Sequence, residues 1–135
     1  MFLLDTMVVS ERAKSRPDAR VRAWTDALPA TQQYVSALSL GEIFFGVERL
    51  PHSASKQRLQ AWSAALPHFF ANRVLPVDLA AAERWARQRI VVGRSLAVVG
   101  ALIAAAAYAH GLTVATRNER DFLDLGVRVI NPWLT

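Results

Sequence analysis

The fold of this chain is decided by its first residues, Phe2-Leu3-Leu4 followed by Asp5-Thr6. The apolar run predicts a short buried strand of a parallel sheet, and Asp5 stands one step past its C-terminal end. Ligands of open α/β sheets bind at that edge, because strands end and helices begin there. A carboxylate beside a buried strand needs water, hydrogen bonds or a cation. Asp5 is therefore a candidate metal ligand, and the alternative is an N-cap of the next helix.

The composition predicts one globular domain. A chain of 135 residues is long enough for a single core spanning residues 1–135. It has no cysteines, which excludes disulfides and thiolate metal sites, and its three histidines lack zinc-ligand spacing. We find no signal-peptide pattern and no uncharged run long enough to span a bilayer, so we expect a cytoplasmic protein without membrane contact.

The net charge of +5 allows two interpretations. A basic surface is typical of a protein that binds a polyanion such as RNA or DNA. The alternative is a general preference for arginine, since only two of the sixteen basic residues are lysines. Charge alone does not decide between them.

Strand-like and helix-like segments alternate along the chain, which predicts an α/β fold with a parallel sheet. The later strands are predicted at 34–37, 74–77, 112–116 and 127–130. The helices are predicted at 6–13, 18–28, 39–50, 53–70, 78–90 and 96–110. We expect Asp18 and Asp78 to act as N-caps and Gly111 as a C-cap.

Two further acidic residues are predicted at the same edge of the sheet as Asp5. Glu42 lies in the first turn of a helix that follows a strand, but Ser39 and Glu42 also have the spacing of a capping box, which would make Glu42 structural. Asp121 lies in a polar run after the fourth strand, where the alternative is a surface turn. If Asp5, Glu42 and Asp121 share a pocket, their charges repel unless a cation screens them.

Carboxylate ligands favour Mg²⁺ or Mn²⁺. A metal held in this way makes water a better nucleophile and stabilises the charge that develops on a phosphodiester. Basic side chains around the pocket can hold a nucleic acid backbone. The candidates are Arg117 and Arg120 beside the site, and Arg12, Lys14 and Arg16 after the first helix.

Several motifs together resemble the PIN-domain ribonucleases, and within them the VapC-type toxins of bacterial type II toxin–antitoxin pairs. The resemblance covers essentially the whole chain, and the motifs occur in the family's order. They are residues 2–6, Ser-Ala-Leu-Ser-Leu-Gly-Glu-Ile at 36–43, Ala-Leu-Ile-Ala-Ala at 101–105, Gly-Leu-Thr-Val-Ala-Thr-Arg-Asn at 111–118, and Asn-Pro-Trp at 131–133.

This resemblance implies a three-layer PIN-like domain, with a central parallel sheet of about five strands flanked by helices. It implies a Mg²⁺- or Mn²⁺-dependent endoribonuclease with an RNA substrate. It also implies a homodimer and a cognate antitoxin protein, which inserts a C-terminal segment into the acidic pocket and can build a higher assembly with the toxin.

The family's functional residues carry over by position. Asp5 matches the first metal-binding aspartate, and Glu42 matches the second acid. Asn118 and Asp121 lie where the family has its last polar or acidic groups. We therefore predict that Asp5, Glu42 and Asp121 are the catalytic and metal-binding residues. The predicted substrate-binding residues are Thr6, Arg117 and Asn118.

Two positions depart from the family pattern. The family's Asp-Thr-Asn becomes Asp5-Thr6-Met7, which removes an amide from the site. The aspartate expected just before Ala101 is Gly100, so one expected metal ligand is missing. We therefore expect metal binding and cleavage to be impaired in this chain, through either an engineered change or natural divergence.

Two alternative functions follow. A catalytically degenerate PIN domain would act as an antitoxin-binding module without chemistry. A phosphatase of the haloacid dehalogenase type also has an aspartate after a strand, but it expects a second aspartate two residues on, where this chain has Met7.

Overall fold

The computed structural model describes residues 1–135 and contains one five-stranded sheet with six α-helices. The strands are β1 (Phe2–Leu4), β2 (Gln33–Ser36), β3 (Val74–Leu75), β4 (Thr113–Ala115) and β5 (Val129–Ile130). The helices are α1 (Thr6–Glu11), α2 (Ala19–Ala27), α3 (Ala37–Glu48), α4 (Ala54–Phe70), α5 (Leu79–Val91) and α6 (Val98–His110). All neighbouring strands are parallel, which confirms the predicted fold class.

Helices cover both faces of the sheet and form two separate cores. Because side chains alternate between the faces of a strand, Leu3 and Val114 pack among residues of α5 and α6 on one face. Their neighbours Leu4 and Ala115 point the other way and pack among residues of α1 to α4. The domain therefore has three layers, helix–sheet–helix, as the resemblance implied.

The strand order is β3-β2-β1-β4-β5, so β1 is the central strand. From β1 the chain winds outward through β2 and β3, and it then returns to the other side of β1 to form β4 and β5. The order reverses between β1 and β4, and a crevice opens at the carboxyl ends of strands at such a switch point. Asp5 and Thr116 are the residues that follow these two strands.

Several predicted helix ends are confirmed. Asp18 and Asp78 accept hydrogen bonds from backbone amides in the first turns of α2 and α5. Gly111 ends α6 in a left-handed conformation with φ of 66°, which glycine adopts without steric cost.

The predicted capping box of Ser39 and Glu42 is wrong. Helix α3 begins earlier than predicted, and its N-cap is Ser36, whose hydroxyl accepts from the amide of Leu38 at 3.1 Å. Ser39 is fully buried inside the helix. Because α3 begins at Ala37, the strand before it ends at Ser36 and spans Gln33–Ser36 instead of the predicted 34–37.

Other helix boundaries differ slightly from the prediction. Helix α1 ends at Glu11 rather than at residue 13, and α6 begins at Val98 rather than at residue 96. None of these helices is long and apolar enough to cross a membrane.

Candidate active site at the switch point

Asp5 connects β1 to α1 and lies at the bottom of the crevice. Its amide continues the sheet by donating to the carbonyl of Ala115 at 2.9 Å. Its Oδ1 accepts from the amide of Thr6 at 2.8 Å, so Asp5 is the N-cap of α1. The residue is 9% exposed, and a carboxylate so buried needs strong partners. Capping is thus confirmed, and it leaves a role in metal binding open.

Thr116 provides the second partner of Asp5. Its hydroxyl donates to Oδ2 of Asp5 at 2.8 Å and accepts from the amide of Asn118 at 3.0 Å. Thr116 is fully buried, so its hydroxyl has little competition from water. Sequence reasoning placed this residue in the fourth strand and missed its contact with Asp5. The available signal was a threonine at the end of a strand adjacent to β1.

Glu42 reaches the same edge from the second turn of α3. Its Oε1 accepts from the hydroxyl of Thr6 at 2.8 Å, across 36 residues of sequence. Glu42 is exposed, and its carboxylate therefore faces solvent rather than capping its own helix. Thr6 thus connects Asp5 and Glu42, because its amide binds one carboxylate and its hydroxyl binds the other.

Asp121 lies in a short 3₁₀ turn, Glu119–Phe122, that follows β4. The neighbouring Phe122 is 2% exposed and holds this turn against the core formed with α6. Asp121 itself is exposed. A buried anchor beside an exposed acid gives Asp121 a fixed position at the rim of the crevice.

The electrostatics of Asp5 indicate that the three acids are neighbours. Burial raises the pKa of Asp5 above its usual value, and the negative charges of Glu42 and Asp121 raise it further. Hydrogen bonds from Thr116 and Thr6 act in the opposite direction. A cation near these carboxylates would relieve both the repulsion and the burial cost.

Asn118 contacts Met7, where the resemblance led us to expect an asparagine. Its side-chain Nδ2 donates to Sδ of Met7 at 3.3 Å. Met7 is 37% exposed on the first turn of α1. A thioether is only a weak acceptor, so Asn118 has a weaker partner than an amide oxygen would give it.

Arg117 lies over the ring of Trp133, with its guanidinium carbon 5.3 Å from the ring centroid. Trp133 is buried and belongs to the core on the α1–α4 face. Arg117 and Arg120 are both exposed near the rim. The predicted substrate-binding roles of Thr6, Arg117 and Asn118 remain predictions.

Gly100 lies in the first turn of α6. A Cβ atom built at this position meets no atom within 4 Å, so the surroundings have room for a side chain. Sterics at the Cβ position therefore do not explain why residue 100 is a glycine.

The donor set suits Mg²⁺ or Mn²⁺ in its chemistry, because it consists of carboxylate oxygens without thiolate or imidazole. It is nevertheless incomplete as a binding site. The structure brings no group of three Asp, Glu or His side chains close enough to hold one metal ion. The assignment of Asp5, Glu42 and Asp121 as metal ligands remains a prediction.

A groove of about 620 Å³ extends from this edge between α1, α3 and α4. Thr6 and Glu42 line one end. Its apolar floor includes Ile43, Val47 and Trp62, and its far end is basic, with Lys14 and Arg16. The acidic edge thus opens into an elongated surface rather than into a closed pocket.

Comparisons with known proteins agree with this architecture. Toxin FitB of Neisseria gonorrhoeae is 38% identical over 98% of this chain and 99% of its own length. VapC ribonuclease Y4jK of Sinorhizobium fredii is 39% identical over 98% of both chains. The crystal structure of FitAcB from Neisseria gonorrhoeae has 37% identity and a TM-score of 0.93, and covers all of both chains. A structure of FitAB bound to a DNA fragment has 36% identity and a TM-score of 0.91, and covers 98% of this chain and 96% of its own.

The family model described as PIN domain matches residues 2–127, which include every acidic residue of the crevice. The matched range includes four of the five strands, β1 to β4. The chain belongs to the PIN-domain family.

Proposed function

We propose that this chain is the toxin of a toxin–antitoxin pair and a Mg²⁺- or Mn²⁺-dependent endoribonuclease with a weakened metal site. The observation that carries this proposal is the position of Asp5 at the switch point of the sheet, where Thr6 binds its carboxylate through the amide and that of Glu42 through the hydroxyl. Three acids around a switch-point crevice in a PIN domain support hydrolysis of a phosphodiester. The relative named VapC ribonuclease supports the same reaction, and the relative named toxin FitB supports the role of a toxin.

Each residue of the crevice would have a distinct role in this reaction. Asp5 presents a carboxylate whose orientation is fixed by Thr116 and by the amide of Thr6. Thr6 orients Glu42 through its hydroxyl. Asp121 supplies a third negative charge at the rim. Arg117 is exposed beside the crevice, where a guanidinium can bind a phosphate.

A bound Mg²⁺ or Mn²⁺ would lower the pKa of a water molecule and stabilise the charge that develops on the phosphate. Asp5 and Glu42 are the residues that would hold it, and Asp121 would add a negative charge at the rim. Gly100 offers no ligand where the family has an aspartate. We therefore expect low affinity for the metal and slow cleavage.

The decisive experiment compares RNA cleavage by four purified proteins with Mg²⁺ or Mn²⁺: the unmodified chain, Gly100→Asp, Gly100→Ala, and Gly100→Asp combined with Asp5→Ala. We expect Gly100→Asp to gain activity and the added Asp5→Ala change to abolish it. Gly100→Ala is the matched control, because it also replaces the glycine with a residue that has a Cβ but adds no ligand. Activity that rises equally in Gly100→Asp and Gly100→Ala would contradict a role as ligand.

A second candidate is a degenerate PIN domain that binds an antitoxin without cleaving RNA. The absence of a three-ligand cluster favours it. The discriminating measurement is Mn²⁺ binding by the unmodified chain. If millimolar Mn²⁺ does not bind and no RNA is cleaved, the binding-module function replaces the enzyme.

An antitoxin partner is also proposed for this chain. Phe44 and Phe45 of α3 are 39% and 67% exposed. Apolar surface of this kind marks protein interaction sites. Two results together would contradict this proposal. The chain expressed alone would be soluble and stable, and the chain expressed with the protein encoded beside it would not co-purify with that protein.

A homodimer is supported by a different surface. Ile90 and Val91 at the end of α5 are 85% and 81% exposed, and Val98 at the start of α6 is 61% exposed. A second copy would cover these side chains. Ile90→Asp should therefore convert a dimer into a monomer in light scattering, whereas Leu134→Asp, at the exposed C-terminal end, should not.

A further inference from the structure

Six of the sixteen basic residues of this chain lie at one corner. The segment 11–26 together with Arg58 contains six basic residues and three acidic ones. This corner therefore carries three of the five net positive charges of the chain. The basic residues are Arg12, Lys14, Arg16, Arg20, Arg22 and Arg58.

This corner contains a small recess of about 270 Å³ whose lining has no hydrophobic residue. Its walls are Arg12, Lys14, Ser15, Pro17 and Arg22. Three cations and a hydroxyl around a space of this size match the chemistry of a phosphate group, which takes hydrogen bonds from several donors at once.

The recess adjoins the groove that leads to Thr6 and Glu42. Lys14 and Ser15 line both the recess and the far end of the groove. Thr6 and Glu42 line the opposite end of the same groove. A flexible chain that enters at the recess can therefore run along the groove to the acidic edge.

The cations of the recess are only partly neutralised. Arg12 and Arg22 share one acid, Asp26, at 3.1 Å and 3.7 Å. Lys14 pairs with Glu11 at 2.7 Å, and its side chain remains 58% exposed. One carboxylate for two guanidinium groups leaves a surplus charge directed at the recess.

We propose that the recess binds a backbone phosphate of single-stranded RNA, and that the following nucleotides run along the groove toward Asp5 and Glu42. This inference rests on the proposed ribonuclease function. A groove lined by an aromatic ring, Trp62, and approached through cations has the two elements that bind single strands without base specificity. An acidic peptide of a partner protein is the competing occupant.

The test measures RNA binding rather than cleavage, so that it does not depend on the metal site. Full-length variants are titrated into a short labelled single-stranded RNA in EDTA, and anisotropy is followed at several salt concentrations. The double variant Arg12→Gln/Arg22→Gln should bind several-fold more weakly. Its plot of log K against log salt should be less steep by about 0.7 for each phosphate that the variant no longer neutralises.

The matched control is Arg87→Gln/Arg89→Gln, which removes the same charge from α5, outside the recess and the groove. A second variant, Asp26→Asn, removes the acid that Arg12 and Arg22 share, and it should bind RNA several-fold more tightly. A gain of affinity cannot come from misfolding.

The recess would be overturned as a phosphate site if both double variants weakened RNA binding equally. It would also be overturned if Asp26→Asn did not bind RNA more tightly. Weaker antitoxin binding with unchanged RNA binding would assign the recess to a protein partner and also overturn it. If RNA binds as expected but no variant cleaves it, the recess stands and the proposed reaction fails.

Discussion

The hydroxyl of Thr116 donates a hydrogen bond of 2.8 Å to Oδ2 of Asp5, across 111 residues of sequence. This contact joins the ends of β1 and β4 at the point where the strand order reverses. It also lowers the pKa of Asp5 against the effect of burial. Thr116 therefore acts on the proposed chemistry through Asp5 and is a positioning residue.

Thr116→Val should raise the pKa of Asp5, because the variant keeps the shape of the side chain but removes the donor. The pKa can be followed by NMR titration of the Asp5 carboxyl carbon. The free energy of unfolding should fall by about 1.5–3 kcal/mol, the range for a hydrogen bond to a charged group. Thr113→Val on the same strand is the control and should leave the pKa unchanged. A pKa that stays the same in Thr116→Val would remove Thr116 from the site.

Asp5→Asn should increase thermal stability at neutral pH. Burial raises the pKa of Asp5, and the charges of Glu42 and Asp121 raise it further. The ionised carboxylate therefore destabilises the fold. This cost is present above the raised folded pKa. It disappears as the pH falls below the unfolded value of about 3.9, where both states are protonated.

The difference in melting temperature between Asp5→Asn and the unmodified chain should therefore shrink as the pH falls from 7 toward about 4. Asparagine caps a helix about as well as aspartate, so the start of α1 is retained. If Asp5→Asn melts at a lower temperature at pH 7, the hydrogen bonds of the carboxylate outweigh the cost of burying its charge.

Local patterns predicted the parts of this site that depend on neighbours in sequence. The apolar run before Asp5 was enough to predict a strand with a carboxylate at its end. The start of α3 was mispredicted because Ser36 and Ser39 are both good N-caps. The end of β2 is set by its pairing with β1 up to Val35 and with β3 up to Ser36, which makes Ser36 the N-cap.

Contacts between segments that are distant in sequence could not be predicted from local patterns. The bonds from Thr116 to Asp5 and from Asn118 to Met7 join residues 111 positions apart. Both depend on β4 lying beside β1, and an alternation of strands and helices does not specify strand order. The positions of Glu42 and Asp121 after predicted strands placed both acids at the edge of Asp5, but they did not reveal that Thr6 connects Asp5 to Glu42.

Lys56 makes the stability of α3 depend on a buried charge. Its ammonium donates to the carbonyls of Glu48 and Leu50 at 2.7 Å and 3.0 Å, at the C-terminal end of the helix, and the residue is 5% exposed. Lys56→Met keeps the length of the side chain but leaves these carbonyls without a donor. The free energy of unfolding should fall by about 1.5–3 kcal/mol in urea denaturation, the range for hydrogen bonds to charged groups. Gln57→Met, at the exposed next position, should change it little.

Gly100 variants separate helix stability from metal binding. In EDTA, Gly100→Ala should melt at a higher temperature than the unmodified chain, because glycine inside a helix costs up to about 1 kcal/mol relative to alanine. Addition of Mn²⁺ should raise the melting temperature of Gly100→Asp but not that of Gly100→Ala. At a Mn²⁺ concentration about one hundred times the dissociation constant, that increase corresponds to about 2.7 kcal/mol. The same Mn²⁺-dependent increase in Gly100→Ala and Gly100→Asp would mean that a carboxylate at residue 100 contributes no ligand. The weakness of the site would then lie with Met7 and its contact to Asn118.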